Sequence, residues 1–213
     1  MIKKKALIFG ITEVNGISMT KLLAKKNYLI HGVCLKKNVK NFKLLSLLKN
    51  VNLKIFPRFS ETKIIKLLKK NFNEIYFFDD KSDINGSFVK NFEIFEKEIN
   101  PLKVVLDYIV SQKGKKSKFL HESSIQIKSN LDYKKKLSKI DKKNLTNLFG
   151  LSKYITFEII KSYRKMFNIP IGTVIFLNHT TPLRAAGCHK ILNLKKIDDY
   201  YIMSGNKIIL KKI

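Results

Sequence analysis

The sequence predicts an α/β fold, a doubly wound parallel sheet with helices on both faces. Short apolar runs of strand length alternate with amphipathic stretches of helix length along the 213 residues, and such alternation builds βαβ units around a parallel sheet. The first apolar run, residues 5–9 (KALIF), ends at Gly10 in a turn that opens a helical pattern. Hydrophobic residues make up 45 % of the chain, enough for one domain with a full core. Right-handed crossovers then set a ligand crevice at the carboxyl ends of the strands.

The elements follow in order. Residues 5–9 read as a buried first strand, and Gly16 opens a helix with Ile17, Met19, Leu22 and Leu23 on its apolar face. Residues 28–34 (YLIHGVC) give strand two, residues 40–49 a helix, and residues 53–56 (LKIF) strand three, stopped by Pro57. An amphipathic helix at 60–71 precedes strand four at 74–78 (EIYFF). A long helix at about 88–112 must break, or begin a first turn, at Pro101, which lacks the N–H a helix interior needs. Strand five is 118–122 (KFLHE), a helix covers 145–167, and strand six is 171–177 (IGTVIFL). The tail from 183 changes character, with a short helix near 188–196 and an extended stretch at 200–210 interrupted by Ser204, Gly205 and Asn206.

The formal net charge of +27 is carried almost wholly by lysine, since Arg58, Arg164 and Arg184 are the only arginines. The lysines are scattered, and no stretch concentrates arginine and aromatic residues. That pattern favours a lysine-rich solvated surface over a specific nucleic-acid site. Cys34 and Cys188 have no metal-ligand spacing and read as buried thiols of a cytoplasmic protein. No metal and no membrane span is expected, and the apolar run after the basic start MIKKK is too short for a signal peptide.

The turn Gly10-Ile11-Thr12-Glu13-Val14-Asn15-Gly16 has the strand–turn–helix order of a dinucleotide fingerprint. One glycine turns the backbone, another admits the pyrophosphate, and the last lets helix and strand approach. The helix N-terminus adds amides and partial positive charge, which makes Gly10, Thr12 and Gly16 the candidate cofactor contacts. Glu13 sits midway, where a carboxylate would face the pyrophosphate. Strand two ends at Cys34-Leu35-Lys36-Lys37, with no acid for a ribose 2′-hydroxyl and with Lys36 available for a 2′-phosphate. The cofactor expected is therefore NADP rather than NAD.

Residues 5–33, KALIFGITEVNGISMTKLLAKKNYLIHGV, resemble the opening of the GDP-mannose 4,6-dehydratases, extended short-chain dehydrogenase/reductases that start with a KALITGITGQDG-type segment. The likeness recurs in order. Residues 73–76 (NEIY) resemble that family's DEIYNLAAQSHV strand, 121–126 (HESSIQ) its QASTSE, and 149–153 (FGLSK) its YAVAK. Residues 176–184 (FLNHTTPLR) resemble its LFNHESPRR, and 201–206 (YIMSGN) its LYLGN.

The resemblance implies a Rossmann-like domain over residues 1–182, a remnant of a C-terminal substrate-binding region over 183–213 and, with the chain ending there, a substrate domain mostly absent. It implies NADP as cofactor and GDP-mannose as substrate. Homo-oligomers, or a complex with a full-length homologue, are the implied assemblies. In the family mechanism a tyrosine, acidified by a lysine four residues on, takes the hydroxyl proton; a threonine or serine assists; and a glutamate removes the C5 proton. Carried over by position, Lys153 keeps the lysine's place beside the ribose, and Ser124 the hydroxyl's. Gln126 stands for the glutamate and Phe149 for the tyrosine, so neither group can exchange a proton. Arg58 stands for an aspartate near the adenine, Phe77-Phe78-Asp79-Asp80 for smaller residues, and Asp83 for a histidine. Asn178, His179 and Arg184 match substrate contacts. The expectation is a catalytically impaired relative, with an active dehydratase and a basic interaction module as the alternatives.

Overall fold

The computed structural model describes residues 3–34, 45, 50–55, 60–78, 88–124, 148–176 and 200–203; for 55, 88–97, 124, 148–149, 176 and 200–203 it describes the backbone alone. Seven strands form one parallel sheet: β1 (Lys5–Phe9), β2 (Leu29–Cys34), β3 (Val51–Ile55), β4 (Glu74–Phe77), β5 (Lys118–Ser124), β6 (Ile171–Phe176) and β7 (Tyr200–Met203). Their spatial order is β3-β2-β1-β4-β5-β6-β7. The register pairs Leu7 with both His31 of β2 and Ile75 of β4. The strand order reverses between β1 and β4, and a crevice opens beyond the carboxyl ends of strands at such a switch point.

Among the described residues four helices of two turns or more cover the sheet: α1 (Val14–Lys25), α2 (Glu61–Leu68), α3 (Phe88–Ser111) and α4 (Leu148–Phe167). Alternate residues of each strand point to opposite faces. On one face Leu7, Phe9, Ile75, Phe77 and Phe119 meet the buried stripes of α2, α3 and α4. On the other, Ala6, Ile8, Ile30 and Phe78 meet Ile17 and Leu23 of α1. Within the expected 40–49 helix only Leu45 is described; it is helical and buried on the α1 face. The expected helix at 188–196 lies outside the described residues.

Two sequence readings are corrected. Gly16 does not open α1: the helix starts at Val14, with Glu13 in extended conformation at its N-cap (φ −76°, ψ 160°). Pro101 neither breaks α3 nor begins it; the helix runs through that position. Pro101 has no N–H for the Lys97 carbonyl, a defect of about 3 kcal/mol. Leu102, Val105, Leu106 and Ile109 are each fully buried, at about 1.5–3 kcal/mol apiece, so packing outweighs the lost bond. The extended stretch expected from residue 200 is a strand over Tyr200–Met203, and β7 joins the same sheet by pairing in parallel with β6, Thr173 opposite Tyr200.

Candidate functional site

The glycine turn leaves β1 at the switch point. Gly10 has φ +63°, a left-handed conformation that disfavours a side chain, and a Cβ there would run into the Phe78 carbonyl oxygen. A Cβ on Gly16 would run into the Gly10 carbonyl oxygen, so the last glycine is what lets α1 lie against the turn. The Glu13 N–H donates to the Gly10 carbonyl at 3.0 Å, and the Ile17 N–H donates to the Glu13 carbonyl at 2.8 Å. Thr12 is buried within the turn. The φ of −76° at Glu13 suits any L-residue, so the backbone accepts a side chain at this place without strain. Its carboxylate belongs to the residue capping the positive end of the α1 dipole, where an anionic ligand would also bind.

Across the sheet, α4 delivers Lys153 to the opposite face. Phe149 lies in its first turn, one helical turn before Lys153, and Ser124 ends β5. The Lys153 side chain is 1 % exposed, and its Nζ donates to Glu98 Oε1 at 2.6 Å. Ser152 Oγ donates to the other carboxylate oxygen at 3.1 Å. His121 Nε2 stands 3.8 Å from Glu98 Oε1, too long for a hydrogen bond but close enough for charge to matter. Burial pushes the Glu98 carboxyl up; the Lys153 ammonium beside it, helped by His121, outweighs burial and holds it well below the ordinary carboxylate range. The result is a buried lysine fixed in position and paired in charge.

Glu98 escaped the sequence reading, although a signal was present. It stands one turn before Leu102 on the stripe that continues through Val105, Leu106 and Ile109, and a carboxylate on an apolar stripe needs a cation opposite it. Also unforeseen is the bond from Asn15 Nδ2 to Glu122 Oε1 at 2.7 Å. It ties the first turn of α1 to β5, whose Leu120 and Glu122 alternate with the inward residues Phe119 and His121. That pairing joins residues 107 positions apart and has no local sequence signature.

The structure thus gathers Gly10, Thr12 and Gly16 at the turn and holds Lys153 on α4. Lys36, Gln126, Asn178, His179 and Arg184 lie outside the described residues. Tyr76 cannot stand in for the missing tyrosine, because its hydroxyl donates to Glu74 Oε2 at 2.7 Å. It packs with the α1-side core, on the face away from Lys153, and burial with the Glu74 carboxylate pushes its pKa far up. Tyr154 follows Lys153 directly, about 100° around the helix, and cannot take the place one turn earlier.

A family model for GDP-mannose 4,6 dehydratase matches residues 7–207. The chain belongs to that family. Its wider group is the extended short-chain dehydrogenase/reductases. Pal from Bacillus thuringiensis is similar in fold at 16% identity and a TM-score of 0.73, over 86% of this chain and 59% of that one. UDP-glucuronic acid 4-epimerase from Bacillus cereus, in complex with UDP-glucuronic acid and NAD, is similar at 20% identity and a TM-score of 0.64, over 84% of this chain and 58% of that one. A tyrosine-to-phenylalanine mutant of the same epimerase, in complex with UDP-4-deoxy-4-fluoro-glucuronic acid and NAD, is similar at 20% identity and a TM-score of 0.63, over 82% and 57%. This chain therefore spans less than two thirds of the length of those solved structures. No curated protein matches the sequence. Among the described residues, no helix is long and apolar enough to cross a membrane.

Proposed function

We propose that this GDP-mannose 4,6 dehydratase family member keeps the nucleotide-binding framework of a sugar-nucleotide enzyme and does not carry out the dehydration. The observation that carries the reading is Phe149 one turn before Lys153, with Lys153 buried and held by Glu98 at 2.6 Å. The cation that would acidify a tyrosine is still positioned and charge-paired, while the hydroxyl it would act on is absent.

The backbone cradle fits a dinucleotide. Gly10 and Gly16 sit where any Cβ would collide with backbone, and the α1 N-terminus offers its amides to an anion. Gly10, Thr12 and Gly16 would hold the pyrophosphate, Lys36 a 2′-phosphate and Lys153 the nicotinamide ribose, which makes NADP the expected cofactor. When bound, the nicotinamide supplies hydride transfer. The protein's own residues supply only part of the proton handling: Ser124 can donate a hydrogen bond, Lys153 can stabilise negative charge, and neither Phe149 nor Gln126 can move a proton. Glu13 opposes the pyrophosphate, so binding is weak. The mutant epimerase, whose complex holds NAD and a nucleotide sugar despite a tyrosine-to-phenylalanine change, supports separating binding from turnover. GDP-mannose is the substrate class by family, in a cytoplasmic protein that self-associates or pairs with a full-length homologue.

Calorimetric titration with NADPH, at salt high enough to screen the net charge, tests the binding half. Saturable binding that tightens in Glu13→Gly is expected; no binding by either protein overturns it. GDP-mannose turnover by F149Y/Q126E tests the other half. Each restored acid–base group is worth roughly 10²–10⁴ in rate, so turnover should appear where the wild type has none. Wild-type turnover at ordinary enzyme rates overturns the reading.

A further inference from the structure

A second concavity lies at the opposite, amino-terminal end of the sheet, with a volume of about 510 Å³. It is bounded by the residues entering β1, β4 and β5 and by the C-terminus of α3. Its charged lining is Lys4, Lys113, Lys115, Lys116 and Lys118 against the single carboxylate of Glu74.

The side-chain oxygens of Glu74, Asn73 and Asn71 in this concavity are already engaged. Glu74 takes the Tyr28 hydroxyl on Oε1 at 3.0 Å and the Tyr76 hydroxyl on Oε2 at 2.7 Å. Asn73 Oδ1 takes the Lys5 N–H at 2.7 Å, and Asn71 Oδ1 takes the Tyr108 hydroxyl at 3.0 Å. At the C-terminus of α3, the negative end of its dipole, Lys116 Nζ donates to the carbonyls of Ile109 at 3.3 Å and Val110 at 2.9 Å and to that of Gln112, just past the helix, at 2.9 Å. Left to face a ligand are the amide nitrogens of Asn71 and Asn73 and the ammonium groups of Lys113, Lys115 and Lys118, together with that of Lys4, which lies over the Tyr28 ring at 5.9 Å from its centroid. These four lysines are exposed and have no ion-pair partner among the described residues. The wall offers donors and positive charge, with the side-chain oxygens of Asn71, Asn73 and Glu74 already engaged.

We infer that this concavity binds an oligophosphate, an anion of two or more linked phosphates that several lysines contact at once. Lysine is a compact point charge suited to phosphate oxygens without demanding planar geometry, and a linked series of phosphates matches four ammonium groups better than a lone anion does. A free polyphosphate and a nucleic-acid backbone both present this chemistry. The site is at the far end of the sheet from the glycine turn and does not depend on what the crevice binds.

The test is calorimetric titration with sodium tripolyphosphate near physiological ionic strength. One saturable site per chain is expected. K4Q/K113Q/K115Q/K118Q should weaken it about tenfold or more, since four weak ion pairs multiply. K21Q/K25Q/K66Q/K165Q removes the same charge from exposed positions outside the concavity and should weaken it less than about threefold, the residue of long-range attraction. Thermal melts establish that both proteins are folded, and Lys116 is left intact because it caps α3. Equal weakening by the two sets, or no saturable binding by the wild type, overturns the inference. A short oligothymidylate then identifies the source. Displacement by tripolyphosphate, with the same sensitivity to the first set alone, assigns the site to a nucleic-acid backbone; tripolyphosphate binding unaffected by the oligonucleotide assigns it to a free oligophosphate.

Discussion

At the carboxyl end of the sheet two carboxylates are spent on particular partners: Glu98 on Lys153 and Ser152, and Glu122 on Asn15. At the amino end five lysines line a concavity with one carboxylate among them. The chain has 43 basic side chains and 16 acidic ones, so a carboxylate is the scarcer group and its placement the more informative. Lysines tolerate solvent almost anywhere on this surface. A buried lysine tolerates only a place where an anion has been kept for it, and Lys153 is that case.

The largest expected effect comes from breaking the buried pair. Lys153→Met strands the Glu98 carboxylate and Glu98→Leu strands the Lys153 ammonium, each costing about 3–5 kcal/mol of stability, whereas removing both charges together should be nearly neutral or stabilising. Urea unfolding of the two single variants and the double variant measures this. Single losses that simply add in the double variant would mean that the two residues do not act as a pair. The acid limb sharpens the point. Glu98 is held below its ordinary value of 4.5, so its contribution is full above that pH and is lost as pH falls through the depressed folded value. The double variant should lose less stability than the wild type over the same fall.

Much of this architecture was legible in the chain because period and punctuation are local. The alternation of strand and helix patterns gave all six strands through β6, and the Gly10–Gly16 spacing gave the turn. Position 101 misled because proline's local cost is visible in sequence and the burial of Leu102, Val105, Leu106 and Ile109 that offsets it is a tertiary quantity. The placement of candidate residues was legible where it is a motif, as for Phe149 one turn before Lys153 on α4, and illegible where it is a meeting. Glu98 and Lys153 are 55 positions apart, and only the packing of α3 beside α4 brings them together. The lysine concavity was hidden for a different reason. Loops 71–73 and 112–118 are ordinary lysine- and asparagine-rich connections until the parallel sheet sets them side by side.

An intermediate effect is expected at the glycine turn, where backbone rather than charge does the positioning. Gly16→Ala places a Cβ against the Gly10 carbonyl oxygen, and because that atom is backbone, α1 must shift. About 1–3 kcal/mol of stability should be lost, along with whatever dinucleotide affinity the turn supports. Gly172→Ala is the control, since nothing lies within 4 Å of a Cβ built there and a strand residue gains from a side chain. A Gly16→Ala protein as stable as Gly172→Ala would show that the close approach of α1 to the turn is not what fixes the crevice.

The smallest effect should come from the bridge between Asn15 and Glu122. Both are half-buried, so water can replace part of what each loses, and a hydrogen bond to a charged group in such a setting contributes about 1–2 kcal/mol. Asn15→Ala should cost about that much, read by urea unfolding. Glu122→Gln keeps an acceptor at the same reach and should cost less than Asn15→Ala. Because the bridge ties the start of α1 to β5 at the carboxyl end, its loss should raise amide exchange in the turn at residues 11–16 while leaving the amino-end loops at 71–73 and 112–118 unchanged. Exchange that rises equally at both ends would mean that the bridge stabilises the sheet as a whole, and that its two ends are not the independent regions their charges suggest.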